Sequence, residues 1–417
     1  MRKGMLFVGT LILAALLLVA LLAGLERAEA APTLPTPTGC VVVSANIITD
    51  TIWDGDCYLV TTDTVAIMPD VSLTITPPLS GTLVRFQPGA QLQVLGTLQA
   101  LGTETRPITF TSAAATPVPG DWIGIILEDD AQNDRDIIRY AVIEYARTGV
   151  KVNDEDFVEL THNRFRYNGG PGPRDGAISG DADNATITHN VIHDCRNGLS
   201  LNESFNNVIS HNRLYNIEAY GIRLFAATTS GGSSNQITHN EIHDCQLAAL
   251  RLEIGSQNVV LSNTLYLNAG SAAIFVDQAL SRFEGNLVIA NGAPGYGGAV
   301  VVTDTSTLSA ISRNIIHDPH GDALAYDASA PSPVLATAGN ALCAPAGYAL
   351  NNGAGNVSAP TNWWGANDPA AAIFGPVDAS NPITLALAAE AITLPADGHA
   401  TALLTVTFRA PDGTIVP

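Results

Sequence analysis

The stretch Thr188-His189-Asn190-Val191-Ile192-His193-Asp194 returns almost unchanged as Thr238-His239-Asn240-Glu241-Ile242-His243-Asp244. Weaker copies surround Asn163, Asn212, Asn263, Asn286, Asn314, Asn340 and Asn362. From Asn163 onward, successive anchors are spaced 27, 22, 28, 23, 23, 28, 26 and 22 residues apart. Tyr140, 23 residues before Asn163, opens the series. Between anchors a small residue leads a short apolar alternation: Gly149-Val150-Lys151-Val152, Gly198-Leu199-Ser200-Leu201, Gly221-Ile222-Arg223-Leu224 and Ala249-Leu250-Arg251-Leu252. A period this short is one turn of a solenoid rather than a domain. Each coil of about 22 residues holds three short strands and three bends, alternates its side chains in and out, and pairs with the coils above and below. One coil cannot bury its apolar face, so only the stack is stable. The anchor Asn falls at the same bend each time, where its amide can bond the amide one coil away. Steps of 27 and 28 add an insertion at a bend. Two of these are Gly/Pro-rich, Asn168 to Pro173 and Asn291 to Gly297, and Ala226 to Gln236 is Ser/Gly/Thr-rich.

This pattern resembles the right-handed parallel β-helix proteins of the pectate-lyase-like superfamily, a group that includes periplasmic carbohydrate-binding relatives. The resemblance covers roughly residues 60 to 376. Val71-Ser72-Leu73-Thr74-Ile75, Pro107-Ile108-Thr109-Phe110-Thr111-Ser112 and Gly120-Asp121-Trp122-Ile123-Gly124-Ile125 look like the opening coils of secreted members. Pro360-Thr361-Asn362-Trp363-Trp364-Gly365 resembles a closing coil, its paired Trp sealing the last apolar layer. The expected fold class is all-β, a right-handed parallel β-helix over residues 40–376 with its own amino-terminal cap.

Around this core the chain has distinct ends. Arg2 and Lys3 precede an apolar run from Met5 to Leu25, and Ala28-Glu29-Ala30 supplies a small-x-small cleavage site. Residues 1–30 thus read as a signal peptide. The run is long enough that an uncleaved signal-anchor fits as well. A Pro/Thr linker, 31–39, follows. Periodicity stops after Trp364, and 377–390 reads as a second linker. Residues 391–417, Ala391-Ile392-Thr393-Leu394-Pro395 to Pro411-Asp412-Gly413, resemble the start of a bacterial Ig-like domain of the invasin/intimin kind. So short a stretch covers only part of an Ig sandwich, and a strand-rich cap on the solenoid end is the alternative. Cys40 and Cys57, close in sequence at the cap of an exported chain, are expected to form a disulfide. Cys195 and Cys245 lie two coils apart, beyond disulfide reach, and are expected to be free, as is Cys343.

The chain carries 39 Asp+Glu against 19 Lys+Arg, a net charge of -20, and its only lysines are Lys3 and Lys151. Such a surface excludes nucleic acid and anionic membrane as general partners. An exported monomer facing an extracellular polysaccharide or cell-surface glycan is expected. In pectate-lyase-like enzymes the exposed face of the first sheet usually carries the site. Alternation puts Lys151, Ile178, Ser200, Arg223, Arg251, Phe275 and Val301 on that face. Lys151, Arg223, Arg251 and Phe275 are the candidate glycan contacts. Arg223 and Arg251, one coil apart, are of the type that grips a carboxylate; the nearest candidate acid is Glu253. Asp318-Pro319-His320 resembles the core motif of mannuronan epimerases, but Gly321 stands where an acid is expected and no Tyr-Gly-Phe precedes it. The catalytic set, if the chain is an enzyme, is Arg223, Arg251, Asp318 and His320, acting as a lyase, epimerase or hydrolase on a uronic-acid-containing glycan. These motifs are incomplete, which favours a non-catalytic, adhesin-like binding module. No cofactor is required. Acidic bends at Asp129, Asp130, Asp134 and Asp136, then Asp154, Glu155 and Asp156, then Asp181 and Asp183, present oxygen ligands that suit calcium. Asp154, Asp156, Asp181 and Asp183 are the candidate set, although turns favour Asp for local reasons. His162, His189, His211 and His239 precede successive anchors, and His193, His243 and His317 follow theirs. Imidazoles stacked at coil spacing could form a metal column, but stacking imposed by the repeat accounts for both sets without one.

Overall fold

The computed structural model describes residues 39–128, 135–226, 233–292, 297–329, 334, 337–389 and 404–416. The expected leader, nearly all of the Pro/Thr linker, Asp129, Asp130, Asp134 and residues 391–403 lie outside the described residues. Among the described residues every regular element is a strand. Three parallel sheets of 13, 12 and 13 strands form the solenoid, and each coil visits them in turn. Sheet 1 runs through Thr148–Asp156, Gly176–Asp183, Leu199–Asn202, Tyr220–Phe225 and Ala248–Ser256. Sheet 2 runs through Glu159–Thr161, Thr186–Thr188 and Val208–Ser210, and sheet 3 through Arg164–Arg166, Val191–Cys195 and Arg213–Ile217.

Period-2 alternation builds the core. Val150, Ile178, Leu199, Ile222 and Leu250 are successive partners in sheet 1, and all are fully buried. The outward partners are Lys151, Ser179, Ser200, Arg223, Arg251, Ile274 and Val301. This corrects two expectations: Ile178 and Phe275 are both core residues with no exposed surface. In each strand two small residues stand together, Gly176-Ala177 and Ala272-Ala273, so the alternation can be started from either. A one-residue slip reverses every side chain.

The anchor Asn form an amide ladder at the bend between sheets 2 and 3. Each Nδ2 donates to the next Oδ1, at 3.0 Å for Asn190 to Asn212, Asn212 to Asn240, Asn240 to Asn263 and Asn263 to Asn286. The ladder continues through Asn314 and Asn340 to Asn362 at 3.1, 2.9 and 2.9 Å. Asn163 joins through its backbone N–H, 2.9 Å from the Asn190 Oδ1. A second ladder, Asn207 to Asn235 to Asn258, stands at the bend between sheets 1 and 2. His162, His189, His211 and His239, each just before an anchor, are left-handed with φ of 56° or 57°, and Tyr140, at the same place in the preceding coil, has φ 48°. Histidine is among the residues that tolerate this conformation.

Both ends are closed. Cys40 and Cys57 are disulfide-bonded, with Cα atoms 4.6 Å apart. At the other end Trp364 is buried in the core, and Trp363 meets Phe408 edge-on at 5.3 Å. Phe408 belongs to a small separate antiparallel sheet of Thr384–Ala389, Leu404–Arg409 and Ile415–Val416.

Candidate functional site

Long sheet 1 strands place two outward side chains side by side on one strand: Lys151 with Asn153, Arg223 with Phe225, Arg251 with Glu253. Arg223 and Arg251 are direct cross-strand partners. Arg223 Nε donates to Glu253 Oε1 at 2.7 Å. Arg251 Nε lies 2.9 Å from the same oxygen, but its N–H is not aimed at it, and that buried donor has no hydrogen-bond acceptor. Burial pushes the Glu253 carboxyl up, yet bonds and charge from Arg251 and Arg223 outweigh it and hold the group below its ordinary range. The Arg251 guanidinium lies 5.7 Å from the Tyr220 ring, and that of Arg223 lies 5.4 Å from the Tyr220 ring and 4.5 Å from the Phe225 ring. Arg174 reaches across from the Gly/Pro-rich insertion to lie 4.4 Å from the same Phe225 ring.

The insertion forms an arch beside this cluster. Asp175 Oδ2 accepts from Gly172 N at 2.7 Å and from Arg147 Nε at 3.0 Å, which fixes the loop. Beneath the arch is a cleft of about 520 Å³, lined among others by Glu128, Lys151, Asn153, Arg174 and Ser179. Gly180, at φ +116°, belongs to its floor; any Cβ there would sit 1.8 Å from the Val152 carbonyl oxygen. Glu128 accepts from Gln93 at 3.1 Å and Asn153 at 2.9 Å. Among the described residues no ion pair involves Lys151 or Arg174. Next to the cleft, outward Ser200 is fully covered and its hydroxyl has no hydrogen-bond partner.

The other expected site residues are not gathered here. Phe275 is in the core and offers no ring to a glycan. Asp318 and His320 precede Leu324–Tyr326, three strands of sheet 1 beyond Arg251. Asp318 is buried and accepts from His320 N at 2.9 Å, so the motif makes its own turn and joins no arginine. Among the described residues no three His, Cys, Asp or Glu side chains converge as ligands. Asp183 instead accepts from Phe205 N at 2.6 Å. Burial, with Asp156, Asp154 and Asp181 nearby, raises its pKa. Burial likewise raises that of Asp181. His162, His189, His211 and His239 stack face to face at 4.8, 4.9 and 5.0 Å. A second column on sheet 3 alternates His193, Tyr215, His243 and Tyr266 at 4.9, 5.4 and 4.6 Å. Cys195, Cys245 and Cys343 are free; burial pushes the Cys195 thiol up to about 12. Arg174, Tyr220 and Phe225 were absent from the sequence-derived set. Phe225 was within reach, since it stands two residues after outward Arg223, whereas the path of the Arg174 loop follows from no periodicity.

A family model described as periplasmic copper-binding protein (NosD) matches residues 171–320, about a third of the chain. No curated protein sequence matches it. Among solved structures, the Dettilon tailspike protein (gp208) aligns at 12% identity and TM-score 0.50, covering 87% of this chain and 71% of that one. The mannuronan C-5 epimerase AlgE6 A-module of Azotobacter vinelandii aligns at 13% identity and TM-score 0.48, over 72% and 86% of the two chains. The periplasmic alginate epimerase AlgG aligns at 12% identity and TM-score 0.45, over 78% and 77%. At 12% identity the tailspike likeness shows the parallel β-helix fold alone. The residues present do not fit a resident copper centre. Among the described residues the exposed imidazoles lie ring on ring, so their nitrogens run parallel rather than converging on one point.

Proposed function

We propose that this chain is an exported β-helix that binds an acidic extracellular or cell-surface polysaccharide along the outer face of sheet 1, without turning it over. One observation carries the reading. In a chain of net charge -20, Lys151, Arg174, Arg223 and Arg251 share one face, and Lys151 is the only lysine beyond the leader. Arginine and lysine interspersed with Tyr220, Phe225, Asn153 and Ser179 supply charge for carboxylates and polar donors for hydroxyls. The described faces of Tyr220 and Phe225 carry guanidinium groups, so recognition rests on ionic and hydrogen-bond contacts more than on sugar–ring stacking. The description of the matched family model, periplasmic, agrees with export. The carboxy-terminal sheet, read as the start of an Ig-like module, would present the solenoid at a surface.

Affinity electrophoresis through polygalacturonate, with product formation followed in the same samples, tests the proposal. Wild-type protein is expected to be retarded and to release no product. The double variant Arg223→Ala, Arg251→Ala should lose at least about tenfold in affinity, the scale of one lost charge-assisted contact. Retardation unchanged in the double variant would move the site elsewhere. Product release that the double variant abolishes would make the chain an enzyme.

A further inference from the structure

Two guanidinium groups on the sheet 1 face share one internal carboxylate. Arg223 Nε is 2.7 Å and Arg251 Nε 2.9 Å from the same Glu253 oxygen; Arg251 Nη2 is 3.4 Å from the other. The arrangement holds more donors than Glu253 can serve, and the Arg251 Nε–H is the one left over. A guanidinium pair with a surplus donor, partly exposed on a face that also holds Lys151 and Arg174, which make no ion pair among the described residues, is built to take an additional oxyanion. Glu253 is no part of the core: its side chain is 19% exposed, against 24% for Arg223 and 28% for Arg251. Its carboxylate already sits where an external carboxylate would sit, and it reaches there from a neighbouring outward position on the Arg251 strand.

We propose that Glu253 determines the specificity of this face: it is an internal stand-in for the carboxylate of a uronate-type sugar, and an incoming carboxylate competes with it for Arg223 and Arg251. The proposal rests on the reading of sheet 1 as a glycan-binding face and adds which residue sets its selectivity. Glu253 keeps the arginines aligned while the face is empty. Its charge also weakens the pull on any second anion, so a ligand must offer carboxylates in the right register.

The test compares wild-type protein with Glu253→Gln, which keeps the shape and removes the charge. Binding to polygalacturonate and to uncharged dextran is measured at several salt concentrations, and circular dichroism verifies the fold. Glu253→Gln should bind polygalacturonate about tenfold more tightly at low salt. Its salt dependence should steepen by about one ion, and dextran binding should not change. Glu253→Asp, which keeps the charge but withdraws it from both arginines, should show a smaller gain with the wild-type salt slope. Polygalacturonate affinity that is unchanged or lower in Glu253→Gln overturns the inference, as does an equal gain on dextran. Wild-type binding with no Glu253→Gln effect would sink this inference alone. A variant that binds where wild type does not would support it and sink the wild-type binding reading. No binding by either protein would end both.

Discussion

Asn212 occupies a middle rung of the ladder, and its replacement by Ala gives the sharpest test of what holds the stack. Its Nδ2 donates to the Ile187 carbonyl at 2.8 Å and to Asn240 Oδ1 at 3.0 Å. Its Oδ1 accepts from the Asn190 backbone N–H at 2.9 Å and from Asn190 Nδ2 at 3.0 Å. All of this is buried, with Asn212 1% exposed. Four hydrogen bonds at about 1 kcal/mol each would be lost, and buried groups of Ile187 and Asn190 would be left without partners. Partial relaxation offsets some of this, so Asn212→Ala should cost about 3–5 kcal/mol. The neighbouring substitution His211→Asn is the control. His211 is exposed and left-handed, Asn tolerates that conformation, and the cost should stay within about 0.5 kcal/mol. Urea unfolding gives both numbers, and hydrogen exchange at Asn190 reports the rung directly. A loss below about 1 kcal/mol for Asn212→Ala, or equal losses in the two variants, would refute the ladder as the source of stability.

Two further outcomes follow from the same geometry. Burial outweighs the opposing pull of Asp194 and lowers the His193 pKa, and burial also lowers that of His317. Their folded values lie below the ordinary 6.5, so the stability they contribute is full above pH 6.5 and is lost as pH falls through that value towards the folded pKa. Urea midpoints should therefore drop between about pH 7.5 and about pH 5.5. His193→Tyr, which preserves a stacked ring in the column, should flatten that drop; an identical pH profile would show that His193 does not contribute. In sheet 1, Phe275→Ala should cost about 3–5 kcal/mol and Ile274→Ala about 1 kcal/mol or less in thermal unfolding. The reverse order would restore the alternation that the structure overturned.

The solenoid was legible because its signal is a repeated chemical need. Every coil must satisfy the same buried backbone groups at the same bend, and Asn at a fixed offset does so. Asn207, Asn235 and Asn258 obey the same logic five residues before Asn212, Asn240 and Asn263, so the second ladder was open to the same alignment. Phase was harder to read. At Gly176-Ala177 and Ala272-Ala273 the small residues carry no in-or-out preference, and Ile178 and Phe275 were placed on the wrong side. The site was legible only where it follows the repeat: Lys151, Arg223, Arg251 and Glu253 stand at periodic outward positions. Arg174 comes from an insertion, whose path depends on the Asp175 bonds to Gly172 and Arg147 rather than on any period. The acidic bends recur as plainly as the ladder does, but what each Asp bonds does not follow from recurrence: Asp183 accepts from the Phe205 backbone N–H of the next coil.

Strand length favours sheet 1 over the other faces for the binding role proposed for it. Sheet 2 strands such as Glu159–Thr161 and Thr186–Thr188 span three residues, with room for two outward side chains each and no more. On sheet 3 the outward column is taken up by rings that stack on one another from His193 to Tyr266, so their faces are already satisfied. Among the described residues sheet 1, with strands of nine, eight and nine residues at Thr148–Asp156, Gly176–Asp183 and Ala248–Ser256, sets the longest rows of outward side chains. A sugar chain lying along the axis needs such a surface, two side chains wide and repeating at coil spacing. The inward residues of those strands hold the stack whatever stands outside them. Charge could therefore collect at Lys151, Arg223 and Arg251 at little cost to the fold, and this separation lets one solenoid carry both an acidic, soluble surface and a cationic face.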